Sequence, residues 1–136
     1  MSNFLSRDAI LNAPDLATEE VEVPEWGGKV LVRGLTGKDR DAYEASLVET
    51  VTEGGKARAK MNMNNIRARL VAMTVVDERG KRLFTSADIE ALGQKSGAAL
   101  DRVFRVAQRL SGLKDGDLEV AEKNSEPGQS GDSTSA

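Results

Sequence analysis

Valines recur at every second position within residues 19–33, and this period of two predicts a β-hairpin. The valines concerned are Val21, Val23, Val30 and Val32. Between the two strands lies the run Pro-Glu-Trp-Gly-Gly at 24–28, in which the proline ends the first strand and the glycines suit a turn. We expect one face of this hairpin to pack on a core and the other, more polar face to meet water.

After the hairpin the apolar residues recur every three or four positions, which is typical of helices. Thr36 is a suitable N-cap, and Asp39 in the first turn complements the helix dipole. The pattern predicts a helix from there to about residue 52, where Gly54-Gly55 stops it. The polar run 56–60 is then expected to be a mobile connection.

A second helix is predicted from about residue 62, with Met63 on its buried face. Periodicity leaves open whether residues 74–84 finish that helix or form a small hairpin. Thr85 with Asp88 has the spacing of a capping box and starts another short helix. The last helix covers about 98–110, and its buried stripe is Leu100, Val103, Phe104, Ala107 and Leu110.

Together these elements predict an α+β fold: an N-terminal antiparallel β-hairpin packed on a bundle of three to four helices. Residues 1–113 are expected to form this single domain. Residues 114–136 are rich in acidic and small polar residues and have few apolar ones, so we expect a disordered acidic tail.

Composition narrows the chemistry available to the chain. Its 136 residues include no Cys and no His, which removes disulfides, thiolate chemistry and the commonest metal ligand and general base. We therefore expect no enzymatic activity, no cofactor and no metal site. The longest apolar stretch, 70–76, is far shorter than the roughly 20 residues of a membrane span, and the N-terminus lacks the apolar core of a signal peptide. A cytoplasmic location without membrane contact follows as an expectation.

The formal net charge of −3 conceals two regions of opposite charge. Residues 1–53 carry eleven acidic and five basic side chains, whereas residues 54–82 carry two acidic and eight basic ones. These regions could pair within one molecule or between copies. We hypothesise that the first region of one copy faces the second region of the next, which would produce open, head-to-tail assemblies.

Two features are candidates for binding a partner. A tryptophan beside two glycines at a turn is a good interface anchor, although it could equally cap the core of its own hairpin. Three arginines share the exposed face of the last helix, and residues 86–110 could act as a DNA-binding helix-turn-helix. The acidic pI near 5.1 and the lack of interleaved aromatic residues argue against nucleic acid. The partner-binding candidates are Trp26, Gly27, Gly28, Arg102, Arg105 and Arg109.

Three segments of the chain are characteristic when taken together. The most specific is Val-Glu-Val-Pro-Glu-Trp-Gly-Gly-Lys-Val-Leu-Val-Arg-Gly-Leu-Thr-Gly-Lys-Asp-Arg at 21–40. It is followed by Leu-Phe-Thr-Ser-Ala-Asp-Ile-Glu-Ala-Leu at 83–92 and Val-Ala-Gln-Arg-Leu-Ser-Gly-Leu at 106–113. In this order they resemble the tail assembly chaperones of long-tailed bacteriophages, and the resemblance spans roughly residues 4–126.

The resemblance implies a non-enzymatic protein of the host cytoplasm that binds the tape-measure protein and is not retained in the virion. It also implies a longer form, made by programmed frameshift, whose extra C-terminal part contacts the tail-tube protein. Self-association along the tape measure is a further expectation. Two alternatives stay open: a structural tail or head-tail connector subunit of the virion, and a small helix-turn-helix DNA-binding regulator.

Overall fold

The computed structural model describes residues 3–113 and has the expected α+β fold. Its helices are α1 (Arg7–Leu11), α2 (Gly37–Ser46), α3 (Ile66–Thr74), α4 (Ile89–Gly93) and α5 (Gly97–Leu110). Its strands are β1 (Thr18–Val23), β2 (Gly28–Arg33), β3 (Val48–Glu53), β4 (Lys56–Met61) and β5 (Val75–Val76). Short 3-10 turns cover Pro24–Trp26 and Ser86–Asp88. The predicted acidic tail lies outside the described residues.

The N-terminal hairpin is confirmed. Strands β1 and β2 pair antiparallel, and β5 joins the other edge of β2 to give the order β1-β2-β5. Cross-strand partners share a face of the sheet. Val23 and Val32 are fully buried, so their face is the inner one, whereas Glu20, Glu22 and Lys29 lie on the outer face.

The core lies between the inner face of this sheet and two helices, α3 and α5. Helix α5 buries one stripe, as predicted, with Val103 and Ala107 fully buried and Leu110 partly so. Helix α3 is buried on most of its surface because α4 and α5 pack against it. A helix that is surrounded in this way carries apolar residues at most positions rather than along one stripe.

The predicted helix starts are largely confirmed by side-chain caps. Thr36 Oγ1 accepts the N–H of Asp39 at 3.1 Å. Before α4, the Asp88 carboxylate accepts the N–H of Thr85 at 2.8 Å, as expected of a capping box. Each contact satisfies a backbone donor that the helix itself cannot pair, and a good N-cap contributes about 1 kcal/mol.

The prediction of a helix up to residue 52 is wrong. Helix α2 ends at Ser46, and β3 and β4 form a second antiparallel hairpin where a helix end and a mobile connection were expected. Gly54 and Gly55 have φ values of +59° and +79°, which are the left-handed conformations of a two-residue hairpin loop. The glycines therefore reverse the chain between two strands rather than simply ending a helix. The β-branched Val-Glu-Thr-Val-Thr-Glu sequence of β3 also favours a strand.

The structure resolves the ambiguity at residues 74–84. Helix α3 ends at Thr74, β5 pairs with β2, and a turn leads back to a single bridge between Val76 and Arg82. Helix α3 also starts later than predicted, at Ile66, because Asn65 takes a left-handed conformation with φ of +53°. Met63 consequently lies before the helix and is 36% exposed, contrary to the prediction that it is buried.

Candidate partner-binding surface

Trp26 lies in a tight turn that joins β1 to β2. The turn is a single 3-10 turn that ends at Gly27, whose φ of +80° suits glycine. The Trp26 ring is half-buried and packs against the core, so it caps the hairpin while keeping part of its surface accessible. Its indole Nε1 is buried and has no acceptor among the described residues.

Helix α5 is tied to this turn and to β1 by two ion pairs. The Arg102 guanidinium binds both carboxylate oxygens of Glu25, at 2.8 and 3.0 Å. The hydrogen bonds from Arg102 lower the pKa of Glu25 from 4.5 to about 2. About two helical turns further on, Arg109 donates to Glu19 at 2.8 Å. The turn, β1 and the exposed face of α5 therefore form one continuous surface.

Arg105 belongs to a separate cluster on the same helix. Asp101 accepts hydrogen bonds from Arg105 at 2.8 Å and from Arg67 of α3 at 2.9 Å. These bonds lower the pKa of the Asp101 carboxyl group. The Arg67 guanidinium also lies 5.5 Å from the centroid of the Phe104 ring, within cation–π range. Asp101 and Arg105 thus form an i, i+4 ion pair on α5, which Arg67 extends to a cluster of three residues.

The structure brings together Trp26, Gly27, Gly28 and Arg102, while Arg105 and Arg109 continue along α5. The three arginines share an exposed face, as expected, but each binds a carboxylate of its own molecule. Arginines that already bind carboxylates have to exchange those partners before they can contact phosphates. The geometry therefore gives little support to a DNA-binding role of this face.

The charge segregation is partly neutralised within the molecule. Arg82 of the basic region binds Asp39 of the acidic region at 2.8 Å, and the acidic residues Glu19 and Glu25 pair with α5 instead. Arg58 of the basic region likewise binds Glu53 of the acidic region across the second hairpin at 3.0 Å. Ion pairs within one molecule therefore neutralise part of the opposite charges and do not exclude ion pairs between copies.

A groove on the outer face of the three-stranded sheet was not anticipated from the sequence. Its volume is about 580 Å³, and its apolar floor includes Val30, Leu31, Val76 and Leu83. Leu83 is 55% exposed and adds accessible apolar surface to the groove. Charges of both signs surround the floor: Glu20, Lys29, Asp77, Glu78 and Arg79. No sequence signal could have revealed the groove, because it depends on β5 and the following turn lying beside β2.

The second hairpin was also missed as a surface. All of its side chains except Val51 and Met61 are exposed, and β4 makes its main contacts with β3 alone. A sequence signal for it existed, since a Gly-Gly pair between two alternating runs indicates a hairpin.

Residues 3–113 contain no group of three or more acidic side chains placed to hold a metal ion. No helix in the described part of the chain is long and apolar enough to cross a membrane.

Comparison with known proteins agrees with the predicted resemblance. Residues 6–126 match the family of phage tail assembly chaperones. A search of curated protein sequences found no match. Among solved structures, the chain is similar to the bacteriophage HK97 tail assembly chaperone, with a TM-score of 0.50 and 17% sequence identity over 76% of this chain and 94% of that chain. That likeness concerns the fold alone, whereas the family match spans most of the sequence, and the chain therefore belongs to the phage tail assembly chaperone family.

Proposed function

We propose that this chaperone binds the tape-measure protein of its phage in the host cytoplasm and keeps it soluble during tail assembly. The observation that carries the proposal is the groove over Leu31, Val76 and Leu83, taken together with membership of a chaperone family. An amphipathic helix presents one apolar stripe bordered by charges. The groove presents the complementary arrangement, an apolar floor bordered by charges of both signs, and helix-in-groove binding is a common mode of recognition.

The surface formed by the Trp26 turn and α5 is the proposed second contact. Its accessible ring edge and its arginine stems offer apolar area, while Arg102, Arg105 and Arg109 offer charge. We further propose that a longer, frameshifted form recruits tail-tube subunits through added C-terminal sequence. In this scheme the chaperone leaves before the virion is complete.

The test is co-expression of this chain with the tape-measure protein encoded beside its gene. The expected result is a soluble tape measure that co-purifies with the chaperone. A tape measure that stays insoluble and unbound would overturn the proposal. The structural-subunit alternative would then come first, and mass spectrometry of purified particles would identify this chain among virion proteins.

A matched pair of variants locates the contact. Leu83 and Ile10 are equally exposed, at 55%, but only Leu83 lies in the groove. Leu83→Asp should reduce co-purification by roughly tenfold or more, because burial of a leucine side chain contributes about 1.5–3 kcal/mol. Ile10→Asp should leave it unchanged. The opposite pattern would assign binding to helix α1, which contains Ile10. Trp26→Ala tests the second contact in the same assay.

A further inference from the structure

A second cavity, the α2–α3 pocket, lies between these two helices and the segment that leads to α4. Its volume is about 250 Å³, and most of its wall is apolar: Ala42, Tyr43, Ala72, Met73, Phe84 and Ile89. Arg69 and Arg82 also line it. The segment 82–84 separates this pocket from the groove on the sheet, because Phe84 lines the pocket whereas Leu83 lines the groove.

Arg69 carries a charge that no carboxylate of residues 3–113 neutralises. Its guanidinium donates to the carbonyl oxygens of Ser46 and Asn62 at 2.7 and 2.5 Å, and to Ser46 Oγ at 3.0 Å. These acceptors are all neutral. The Arg69 Nε is buried and has no acceptor among the described residues. A partly buried cation without a counter-ion is unfavourable, so an anion that enters the pocket is stabilised there.

The lining of the α2–α3 pocket fits an aliphatic side chain accompanied by a carboxylate. The apolar wall favours burial of the aliphatic part. Arg69 favours the carboxylate, because a guanidinium donates strong, charge-assisted hydrogen bonds to it. Arg82 is already bound to Asp39 at 2.8 Å, which leaves Arg69 as the cation that lacks a counter-ion in the pocket. A peptide segment with acidic and aliphatic residues side by side meets both requirements.

The acidic tail, residues 114–136, contains one segment of this chemistry. Residues 117–122 read Asp-Leu-Glu-Val-Ala-Glu, with three acidic side chains and no basic one. Leu118 and Val120 are the only large aliphatic residues of the tail. The remainder is dominated by small polar and charged residues, so this segment alone is suited to an apolar pocket.

The described chain ends close enough for this segment to reach the pocket. Gly112 lies against α2, since a Cβ atom added to it would be 3.3 Å from Nη1 of Arg40. The distance along α2 from Arg40 to Ser46, the far end of the pocket wall, is about 9 Å. Residues 114–118 span up to about 17 Å when extended. Leu118 is therefore within reach of the pocket.

We propose that the α2–α3 pocket binds an acidic, aliphatic peptide segment, and that residues 117–122 of the same chain are its occupant. Leu118 enters the apolar part of the pocket, and the carboxylate of Asp117 or Glu119 neutralises Arg69. The covalent tether gives the segment an effective concentration on the order of millimolar, so a modest affinity suffices. The bound segment lies beside the groove, on the other side of residues 82–84.

A spin label on the tail of the full chain tests this contact. The sequence has no Cys, so Asn124→Cys provides one attachment site, two residues beyond the segment. The label should broaden the methyl NMR signal of Met73, which lines the pocket. Leu118→Asp should lower the ratio of bound to free tail by about tenfold or more and sharpen that signal. Ala136→Asp adds the same charge outside the segment and should change nothing.

A matched pair of variants tests the pocket side of the contact. Ser86→Glu and Ala87→Glu place a carboxylate at adjacent exposed positions of the turn before α4, but only Ser86 lines the pocket. Acidic residues suit the first turn of a helix, so both variants should fold. Ser86→Glu should repel the acidic segment and lower the bound-to-free ratio about threefold, whereas Ala87→Glu should leave it unchanged.

Two double variants separate a specific contact from general attraction to the acidic tail. Asp117→Asn with Glu119→Gln removes two charges from the segment, and Glu126→Gln with Asp132→Asn removes two charges from the rest of the tail. The first should lower the bound-to-free ratio by about tenfold, because it removes the carboxylates that bind Arg69. The second should leave the ratio unchanged.

Four outcomes would overturn the proposal. They are a Met73 signal that the label leaves sharp, broadening that survives Leu118→Asp, equal effects of the two double variants, and broadening that disappears on dilution. The last would assign the occupant to the tail of another molecule, because binding within one chain is independent of concentration. These measurements use the chaperone alone, so their failure is distinct from failure to bind the tape measure.

Discussion

Substitution of Gly34 by alanine probes the place where the sheet meets the end of α5. Gly34 is buried directly after β2, and a Cβ atom added there would overlap the carbonyl oxygen of Leu110. The carbonyl carbon of Leu110 would lie 3.0 Å away. Both obstacles are backbone atoms, so no side-chain rotation relieves the overlap. The chain after β2 has to move away from α5.

That movement also affects a buried hydrogen bond. The next residue, Leu35, donates its N–H to Ser111 Oγ at 3.0 Å, just beyond the helix end. Overpacking of a core costs about 1–3 kcal/mol, and an orphaned buried donor costs about another 1–3 kcal/mol. Alanine offsets about 0.4–1 kcal/mol by restricting the unfolded chain. We expect Gly34→Ala to lower the free energy of unfolding by about 2–4 kcal/mol.

Urea denaturation followed by circular dichroism measures this loss, with Gly37→Ala as the control. Gly37 begins α2, and a Cβ atom added there meets no atom within 4 Å. Its replacement should leave stability unchanged or raise it by up to about 1 kcal/mol. The steric reasoning is refuted if Gly34→Ala unfolds within about 0.5 kcal/mol of the wild type with the same denaturant dependence, the usual range for surface substitutions.

Three further predictions concern the turn, a buried phenol and an ion pair. Gly27→Ala should cost about 1–2 kcal/mol in the same urea assay, because its φ of +80° is unfavourable for a residue with a Cβ atom. Burial raises the pKa of Tyr43, the only tyrosine, from 10.0 to about 12. Burial therefore favours the neutral phenol, and its contribution to stability is fully present below pH 10 and lost as the pH rises through 12. The phenolate absorbance should appear near pH 12 in the folded protein. Ionisation near pH 10 with the fold intact would contradict the prediction. Glu25 should titrate near pH 2 by carboxyl NMR, and its contribution, present above pH 4.5, is lost as the pH falls towards 2. Arg102→Gln should return the Glu25 pKa towards 4.5, whereas Arg105→Gln should leave it unchanged.

Local signals predicted the elements that are stabilised by local interactions. The valine alternation identified β1 and β2, and Thr36 and Thr85 marked helix starts that the structure confirms. The buried stripe of α5 followed from its period. Each of these features depends on residues within a few positions of one another, so the sequence contains their physical cause.

The second hairpin shows where local reasoning failed. A helical stripe through Leu47 and Val51 competed with the strand propensity of the same segment, and Gly-Gly served either as a helix stop or as a hairpin turn. Cross-strand pairs such as Glu49 with Lys60 decide between these alternatives only when both strands are present. The β3–β4 sheet could not be inferred before that pairing was known.

By itself the sequence determined the fold class, the helix caps, the absence of Cys and His chemistry, and the resemblance that family membership then confirmed. Tertiary structure alone decided which charges far apart in the sequence meet. Arg102 and Glu25 are 77 positions apart, and Arg109 and Glu19 are 90 apart, yet each pair forms a close ion pair. It also decided that Leu31, Val76 and Leu83 share one groove. Contacts over such separations depend on how the sheet and α5 pack, and no local pattern in the chain encodes that packing.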